Sequence, residues 1–212
     1  MNKKYDIIYV IGDSHSNTFC IGSGQSPKVR TLNIGPRTLH SVGINGFEMG
    51  FDDYYIPRNE VQREGLWVLA FGEIDCRCHI WKQINENGRD EDEVLSTLVN
   101  NLFDVMEKSQ HQDFGVMSIV PAIRYFGGDY DPSRFQEQYP VIGPDEDRLR
   151  YVLKLNKMLK TKCEENEMIY VDVHSLYCDE DGYLIKELSD GEVHITNRDR
   201  LINFFENKNI VW

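Results

Sequence analysis

Residues 5–16 of the chain read YDIIYVIGDSHS, an apolar run that ends at Gly12 and is followed directly by Asp13 and Ser14. The run is rich in β-branched residues and is apolar at nearly every position, without strict alternation. This pattern is typical of a strand that is covered on both faces, as the strands of parallel sheets are. Residues 5–12 therefore predict a buried parallel strand that carries polar residues at its carboxyl end.

Further runs of the same character follow along the chain, at residues 29–35, 67–72, 114–120 and 168–173. Between and after them, apolar residues spaced three and four apart predict helices over about 94–106, 149–163 and 197–205. Strands that alternate with helices imply right-handed βαβ crossovers. We therefore predict a three-layer α/β/α fold, with about five parallel strands flanked by helices, as a single domain over residues 1–212.

The composition excludes several classes of protein. Of the 212 residues, 41% are hydrophobic and 27% are charged, which is typical of a globular chain. The 23 Lys and Arg against 35 Asp and Glu give a net charge of −12, with the basic residues scattered. This charge argues against nucleic-acid partners and anionic membrane surfaces. Apolar stretches such as residues 7–11 are far too short to span a membrane.

The cysteines indicate a reducing compartment. Their number is odd, and no signal-peptide pattern precedes the first strand, which together favour free thiols in the cytoplasm. The run Cys76-Arg77-Cys78-His79 is similar to half of a zinc site, but the sequence has no second pair of ligands for it. We expect no bound metal and no cofactor. The five cysteines are Cys20, Cys76, Cys78, Cys163 and Cys178.

The residues that follow the predicted strands carry the chemistry, because open parallel sheets bind ligands beyond the carboxyl ends of their strands. Ser14 lies on the turn after the first strand, where its hydroxyl is exposed and helix amides can receive an oxyanion. A serine hydroxyl needs an adjacent base to become a nucleophile. His194, at a loop-to-helix junction, is the best candidate, and Asp190 is placed to orient its imidazole.

These residues, in this order, resemble the SGNH (GDSL-type) hydrolases, over roughly residues 5–205. The resemblance implies a flavodoxin-like α/β/α fold, with Ser14 of Gly12-Asp13-Ser14 as the nucleophile and His194 as the general base. It also implies a glycine after a later strand as an oxyanion donor. Gly35 directly follows the second predicted strand, and Gly43 is the alternative.

The sequence departs from the family pattern after the third strand. In Gly72-Glu73-Ile74-Asp75, Ile74 stands where the family has an asparagine that donates to the oxyanion. Loss of one such donor typically costs ~10²–10³ in turnover. Arg77 is a possible substitute donor, or else the partner of a nearby carboxylate in a salt bridge. We also place Asp13 and Asp75 in the oxyanion and substrate region.

A second departure concerns the acid of the triad. The family spacing puts an aspartate three residues before the histidine, but that position is Gly191 here, and Asp190 stands four residues before His194. A one-residue bulge would still bring its carboxylate to the imidazole.

The segments GDSHS (12–16) and GEIDCRCH (72–79) resemble a divergent branch of the superfamily associated with glycans. This implies a serine esterase that removes an acyl group, most simply acetyl, from a carbohydrate. Three alternatives are an acetyltransferase on the same residues, a glycan-binding protein without catalysis, and a flavodoxin-like module that binds a phosphate such as that of FMN through Ser14, Ser16 and Thr18. The long segment 122–144 is expected to select the substrate.

Overall fold

A computed structural model describes residues 5–19, 29–48, 65–109, 113–126 and 138–207 of the protein. Its single sheet has five strands, all parallel, in the order β2-β1-β3-β4-β5. This is the flavodoxin-like order, and it confirms the predicted sheet. The strands are β1 (Ile8–Gly12), β2 (Val29–Asn33), β3 (Leu66–Ala70), β4 (Asp113–Met117) and β5 (Ile169–Val171).

The helices of the described residues alternate with the strands as the apolar spacing predicts. The predicted helices over 94–106, 149–163 and 197–205 correspond to the observed helices Glu91–Lys108, Asp145–Glu165 and Asp199–Asn207. The described part of the chain contains the α-helices α1 (Leu39–Asn45), α2 (Ile80–Asn85), α3 (Glu91–Lys108), α4 (Asp145–Glu165), α5 (Val173–Tyr177) and α6 (Asp199–Asn207). A 3₁₀ helix follows β1 at Ser14–Phe19, another lies at Lys186–Leu188, and a π-helical turn covers Asp75–His79.

Two hydrophobic cores lie on opposite faces of the sheet. Successive residues of a strand point to opposite faces, so Tyr9 and Ile11 pack with α1 to α4, whereas Ile8 and Val10 pack with α5 and α6. Every residue of β1 and β3 is buried, as the near-continuous apolarity of their sequences predicts. The arrangement is a three-layer α/β/α sandwich.

The sheet order reverses direction between β1 and β3, which flank the point where chains of this topology bind ligands. Gly12 pairs in register with Asn33 of β2 on one side and with Ala70 of β3 on the other. The residues that follow these three strands are therefore delivered to one edge of the sheet.

The predicted loops are only partly described. Residues 49–64 and 127–137, and with them the middle of the segment expected to select the substrate, lie outside the described residues, as does Cys20. No helix in the described part of the chain is long and apolar enough to cross a membrane.

Candidate active site

Ser14 and the distant pair Asp190 and His194 form one hydrogen-bonded row at the carboxyl edge of the sheet. The Nε2 atom of His194 lies 2.8 Å from the Oγ atom of Ser14. On the other side of the ring, Nδ1 of His194 lies 2.8 Å from Oδ2 of Asp190. The structure thus brings together the predicted nucleophile, base and acid, in the geometry by which an imidazole can take a hydroxyl proton.

A tight turn allows Asp190 to reach the imidazole from four residues away. Gly191 has φ +84°, a left-handed conformation that glycine adopts without strain. The backbone N–H of Asp190 donates to the carbonyl of His194 (2.9 Å), and the backbone N–H groups of Glu192 and His194 donate to Oδ1 of Asp190 (2.8 and 3.3 Å). The hydrogen-bonded loop therefore accommodates the one residue by which the spacing of Asp190 and His194 exceeds the family pattern.

The same contacts keep Asp190 ionised. Its partial burial disfavours the charged carboxylate, but the hydrogen bonds from the His194 ring and from the amides of Glu192 and His194 outweigh that effect, and the pKa of Asp190 is lowered. An ionised carboxylate against Nδ1 requires a proton on that nitrogen. The acceptor lone pair of Nε2 then faces Ser14.

Next to this row lies a buried ionic network, of which the sequence predicts only the salt bridge of Arg77 to a nearby carboxylate, here Glu73. Nδ1 of His15 lies 2.9 Å from Oδ1 of Asp13, and its ring centre is 5.0 Å from that of His194. Its Nε2 is 3.9 Å from Oε2 of Glu73, whose other oxygen accepts a 2.7 Å hydrogen bond from Nε of Arg77. The network joins the ends of β1 and β3.

The opposite charges in this network outweigh the effect of burial on the pKa values of His15 and Glu73. Burial disfavours the imidazolium of His15, but the carboxylates of Asp13 and Glu73 outweigh it, and the pKa of His15 is raised. Burial likewise disfavours the charged form of Glu73, but Arg77 and His15 outweigh it and lower its pKa. The two carboxylates thus favour the cationic form of His15, whose ring lies next to the base of the candidate triad.

Asp75 has a role different from the one expected at the oxyanion region. It is buried and accepts hydrogen bonds from the backbone N–H groups of Leu39 (2.6 Å) and His40 (3.2 Å), at the start of α1. Burial raises its pKa to about 7 in spite of these two bonds. Neither Asp75 nor Asp13 is among the described residues that line the cavity beside Ser14.

The expected oxyanion donors are partly engaged elsewhere. The backbone N–H of Gly35 donates to Oδ1 of Asn33 (2.9 Å), so it is not aimed at the serine. The guanidinium of Arg77 lines the cavity, but it donates to Glu73 and to the carbonyl of Tyr139. Ile74 lines the cavity with an apolar side chain.

A cavity of about 340 Å³ opens above Ser14 and His194. This volume is at the lower end of the ~300–1,000 Å³ range of small-molecule sites. Its walls combine apolar and polar groups from the carboxyl ends of β1, β2 and β3, from residues 138–139 and from the loop before α6. The remaining lining residues are Asn33, Gly35, Pro36, Ile74, Arg77, Gln138, Tyr139, Glu192 and Val193.

The groups considered for metal and phosphate binding are otherwise occupied. Cys76 and Cys78 are buried free thiols, and Cys78 Sγ donates to the carbonyl of Pro140 (3.0 Å). Ser16 and Thr18 are buried, so their hydroxyls do not face a ligand at the sheet edge. Asp190, Glu192 and His194 have potential metal-ligand atoms within 4.8 Å of one another, but both ring nitrogens of His194 already face Asp190 and Ser14.

Comparison of the fold with solved structures gives consistent matches, although no protein-family model and no curated protein sequence matches the chain. A GDSL-like lipase from Bacteroides thetaiotaomicron superposes with a TM-score of 0.54 at 13% identity, over 96% of this chain and 87% of the lipase. An acetylxylan esterase from Geobacillus stearothermophilus superposes with a TM-score of 0.55 at 14% identity, over 99% of this chain and 96% of the esterase.

The structures of that esterase are of catalytic mutants, in which an aspartate, a serine or a histidine is replaced by alanine. At these identities the likeness concerns the fold, and it extends over almost the full length of both chains. The chain therefore has the three-layer α/β/α fold of the GDSL-type lipolytic proteins and acylhydrolases.

Proposed function

We propose that the protein is a serine esterase of the SGNH type, with Ser14 as nucleophile, His194 as general base and Asp190 as the acid that orients it. The observation that carries the proposal is the continuous row from Ser14 Oγ through the imidazole to the Asp190 carboxylate, with both contacts at 2.8 Å. The row borders a cavity of suitable size, on a fold shared with GDSL-type proteins.

The reaction follows from these positions. Nε2 of His194 takes the proton of Ser14 as Oγ attacks the ester carbonyl carbon, and the carbonyl oxygen becomes an oxyanion. The imidazolium then returns the proton to the leaving alkoxide, which departs as an alcohol and leaves Ser14 acylated. Water repeats the sequence with His194 as base, and the acid and free serine are released. Asp190 stabilises the imidazolium in both halves.

A short acyl ester of a neutral carbohydrate is the substrate class we favour. The small cavity favours a short acyl group, and the net charge of −12 disfavours polyanionic substrates. An acetylxylan esterase shares the fold, and its catalytic mutants are altered at the same three residue types that form the row here. Removal of acetyl from a glycan is therefore the reaction we propose.

The test is hydrolysis of p-nitrophenyl acetate, butyrate and octanoate and of acetylated xylo-oligosaccharides. We expect turnover that falls with acyl length, release of acetate from the sugar, and loss of both activities in Ser14→Ala and His194→Ala. Mass spectrometry with added xylose separates the two chemistries, because a transferase would form acetylxylose and a hydrolase would release free acetate. If neither ester class is cleaved in a Ser14-dependent way, the proposal is wrong, and Ile74 then favours a binding protein without catalysis.

A further inference from the structure

An esterase that acts through a serine needs hydrogen-bond donors for the oxyanion, because negative charge develops on the carbonyl oxygen in the transition state. Two of the groups expected in this role are unsuited to it. Ile74 has no side-chain donor, and the N–H of Gly35 is taken up by Asn33 at 2.9 Å. A side-chain donor in the cavity wall would take the place of the one that Ile74 lacks, beside the backbone amides that follow Ser14.

Asn33 is placed to do so by the sheet itself. It is the last residue of β2 and pairs in register with Gly12, two residues before Ser14. The backbone N–H of Ile34 donates to the carbonyl of Gly12 (2.9 Å), which fixes the end of β2 against the start of the serine turn. Asn33 and Ser14 line the same cavity.

The hydrogen bond from Gly35 also determines which way the amide of Asn33 faces. An N–H group must meet the side-chain oxygen, so Oδ1 faces Gly35 and the NH₂ group faces away from it. Gly35 has φ +78°, which lets its amide turn back towards the preceding side chain. Gly35 is thereby a positioning residue for Asn33.

The NH₂ group of Asn33 is available to a ligand. Within the described part of the chain, no protein group accepts a hydrogen bond from Nδ2, and the atom is not among the fully buried side-chain atoms without a partner. It is therefore not completely buried, and it belongs to a half-buried residue that lines the cavity.

We propose that Nδ2 of Asn33 donates a hydrogen bond to the oxyanion formed at Ser14, and so supplies from the end of β2 the donor that Ile74 lacks after β3. This inference rests on the proposed esterase function. Arg77 adds positive charge to the same cavity, but its contacts to Glu73 and Tyr139 hold the guanidinium in an ion pair. The neutral amide of Asn33, with two available N–H groups, is a better donor to the oxyanion than the guanidinium of Arg77.

The test compares Asn33→Asp, Asn33→Ser and the wild-type protein. Asn33→Asp keeps an acceptor for Gly35 but replaces the donor with a second acceptor, so the local turn is retained while the donor is lost. We expect kcat for p-nitrophenyl acetate to fall ~10²–10³-fold with KM changed less than about threefold. Asn33→Ser, with a shorter donor, should lose less. Asn45→Asp, which adds the same charge at the exposed end of α1, should retain wild-type kcat.

The outcomes separate this inference from the proposed function. Loss of kcat in Asn33→Asp, with an unchanged melting temperature and unchanged KM, supports it. If the wild type shows Ser14-dependent turnover and both folded Asn33 variants keep kcat within about threefold, the inference is overturned and the esterase function stands. If the wild type has no Ser14-dependent turnover, the proposed function fails and the role of Asn33 fails with it.

Discussion

Asp190 meets His194 across four residues because Gly191 turns the chain in a left-handed conformation and the amides of the loop close on the carboxylate. The spacing in the sequence differs from the family pattern, but the contact is retained. Chain geometry around one glycine decides this, and counting residues alone does not reveal it. The same applies to Asn33, whose importance depends on its register with Gly12.

At this scale, replacement of Asp190 tests whether it is the acid. In Asp190→Ala the imidazole loses the contact that sets its tautomer, while Ser14 and His194 remain in place. We expect kcat to fall ~10²–10⁴-fold, with a remaining activity that is still measurable above the Ser14→Ala background. Glu187→Ala serves as the control, since its exposed side chain is part of neither the row nor the cavity lining. An Asp190→Ala variant with wild-type kcat would place the acid elsewhere.

Asp75 gives a prediction on pH and stability. Its ordinary pKa is 3.8, and burial raises the value in the folded protein to about 7. Between these two values the folded state binds more protons than the unfolded state, so Asp75 makes the free energy of unfolding fall as pH rises through this window. Each unit of pKa difference is worth ~1.4 kcal/mol. In the Asp75→Asn variant the side chain is neutral at every pH, so its free energy of unfolding does not fall for this reason as the pH rises.

Urea unfolding at pH 4.5, 6, 7 and 8 measures the effect. The stability of Asp75→Asn relative to wild type should increase from pH 4.5 to about pH 7 and level off by pH 8, whatever its value at the lowest pH. Parallel curves for the two proteins would show that Asp75 does not titrate in this range.

At the scale of elements, β1 and β3 approach so closely at Gly12 that no side chain fits there. A Cβ atom on Gly12 would lie 2.2 Å from the carbonyl oxygen of Ala70 and 3.0 Å from its Cβ. Gly12 is thus required by packing, next to the turn that carries Ser14. The glycine of the serine motif has a structural reason that is independent of catalysis.

Gly12→Ala should therefore force the two central strands apart. We expect the free energy of unfolding to drop by ~2–4 kcal/mol, together with a loss of turnover as Ser14 moves relative to His194. Gly88→Ala is the matched control, since a Cβ atom there meets nothing within 4 Å and the cost is limited to its φ of +66°. That cost is ~1–2 kcal/mol, without loss of turnover. Equal destabilisation in the two variants would contradict the close approach at Gly12.

The elements also show how far the sequence predicts this site. The five strands and the two long helices are predictable, since strand apolarity and helical spacing are local features, and Ser14 follows from its place at a strand end. His194 and Asp190 are expected from the resemblance to the SGNH hydrolases, but their contact depends on the turn at Gly191. Helix α1 is not, because seven residues carry little periodicity and its start depends on Asp75, 36 positions away from Leu39. The network of His15, Asp13 and Glu73 likewise depends on contacts between strand ends.

At the scale of the whole molecule, the net charge of −12 acts on every substrate that approaches. Such a field repels anions at low ionic strength and is screened at high salt, where the Debye length falls below ~10 Å. The field does not act on a neutral ester. Substrate charge and salt therefore provide a test that requires no mutation.

The comparison uses p-nitrophenyl acetate and the p-nitrophenyl half-ester of succinic acid. We expect kcat/KM for the anionic ester to rise ~3- to 10-fold between 10 and 300 mM NaCl, while the value for the acetate stays within about 1.5-fold. A fall for the anionic ester over this range would mean that the local charge of Arg77 dominates the approach.

The most direct test of the account is whether Ser14 reacts as a nucleophile. The protein is incubated with a fluorophosphonate between pH 6 and 9, and the adduct is located by intact-mass and peptide mass spectrometry. We predict a single adduct on Ser14 that is absent in Ser14→Ala and strongly slowed in His194→Ala, and that persists in Ser16→Ala, whose buried hydroxyl donates to the carbonyl of Asp13. Wild-type protein that stays unlabelled across this range, or an adduct that survives Ser14→Ala, would contradict it.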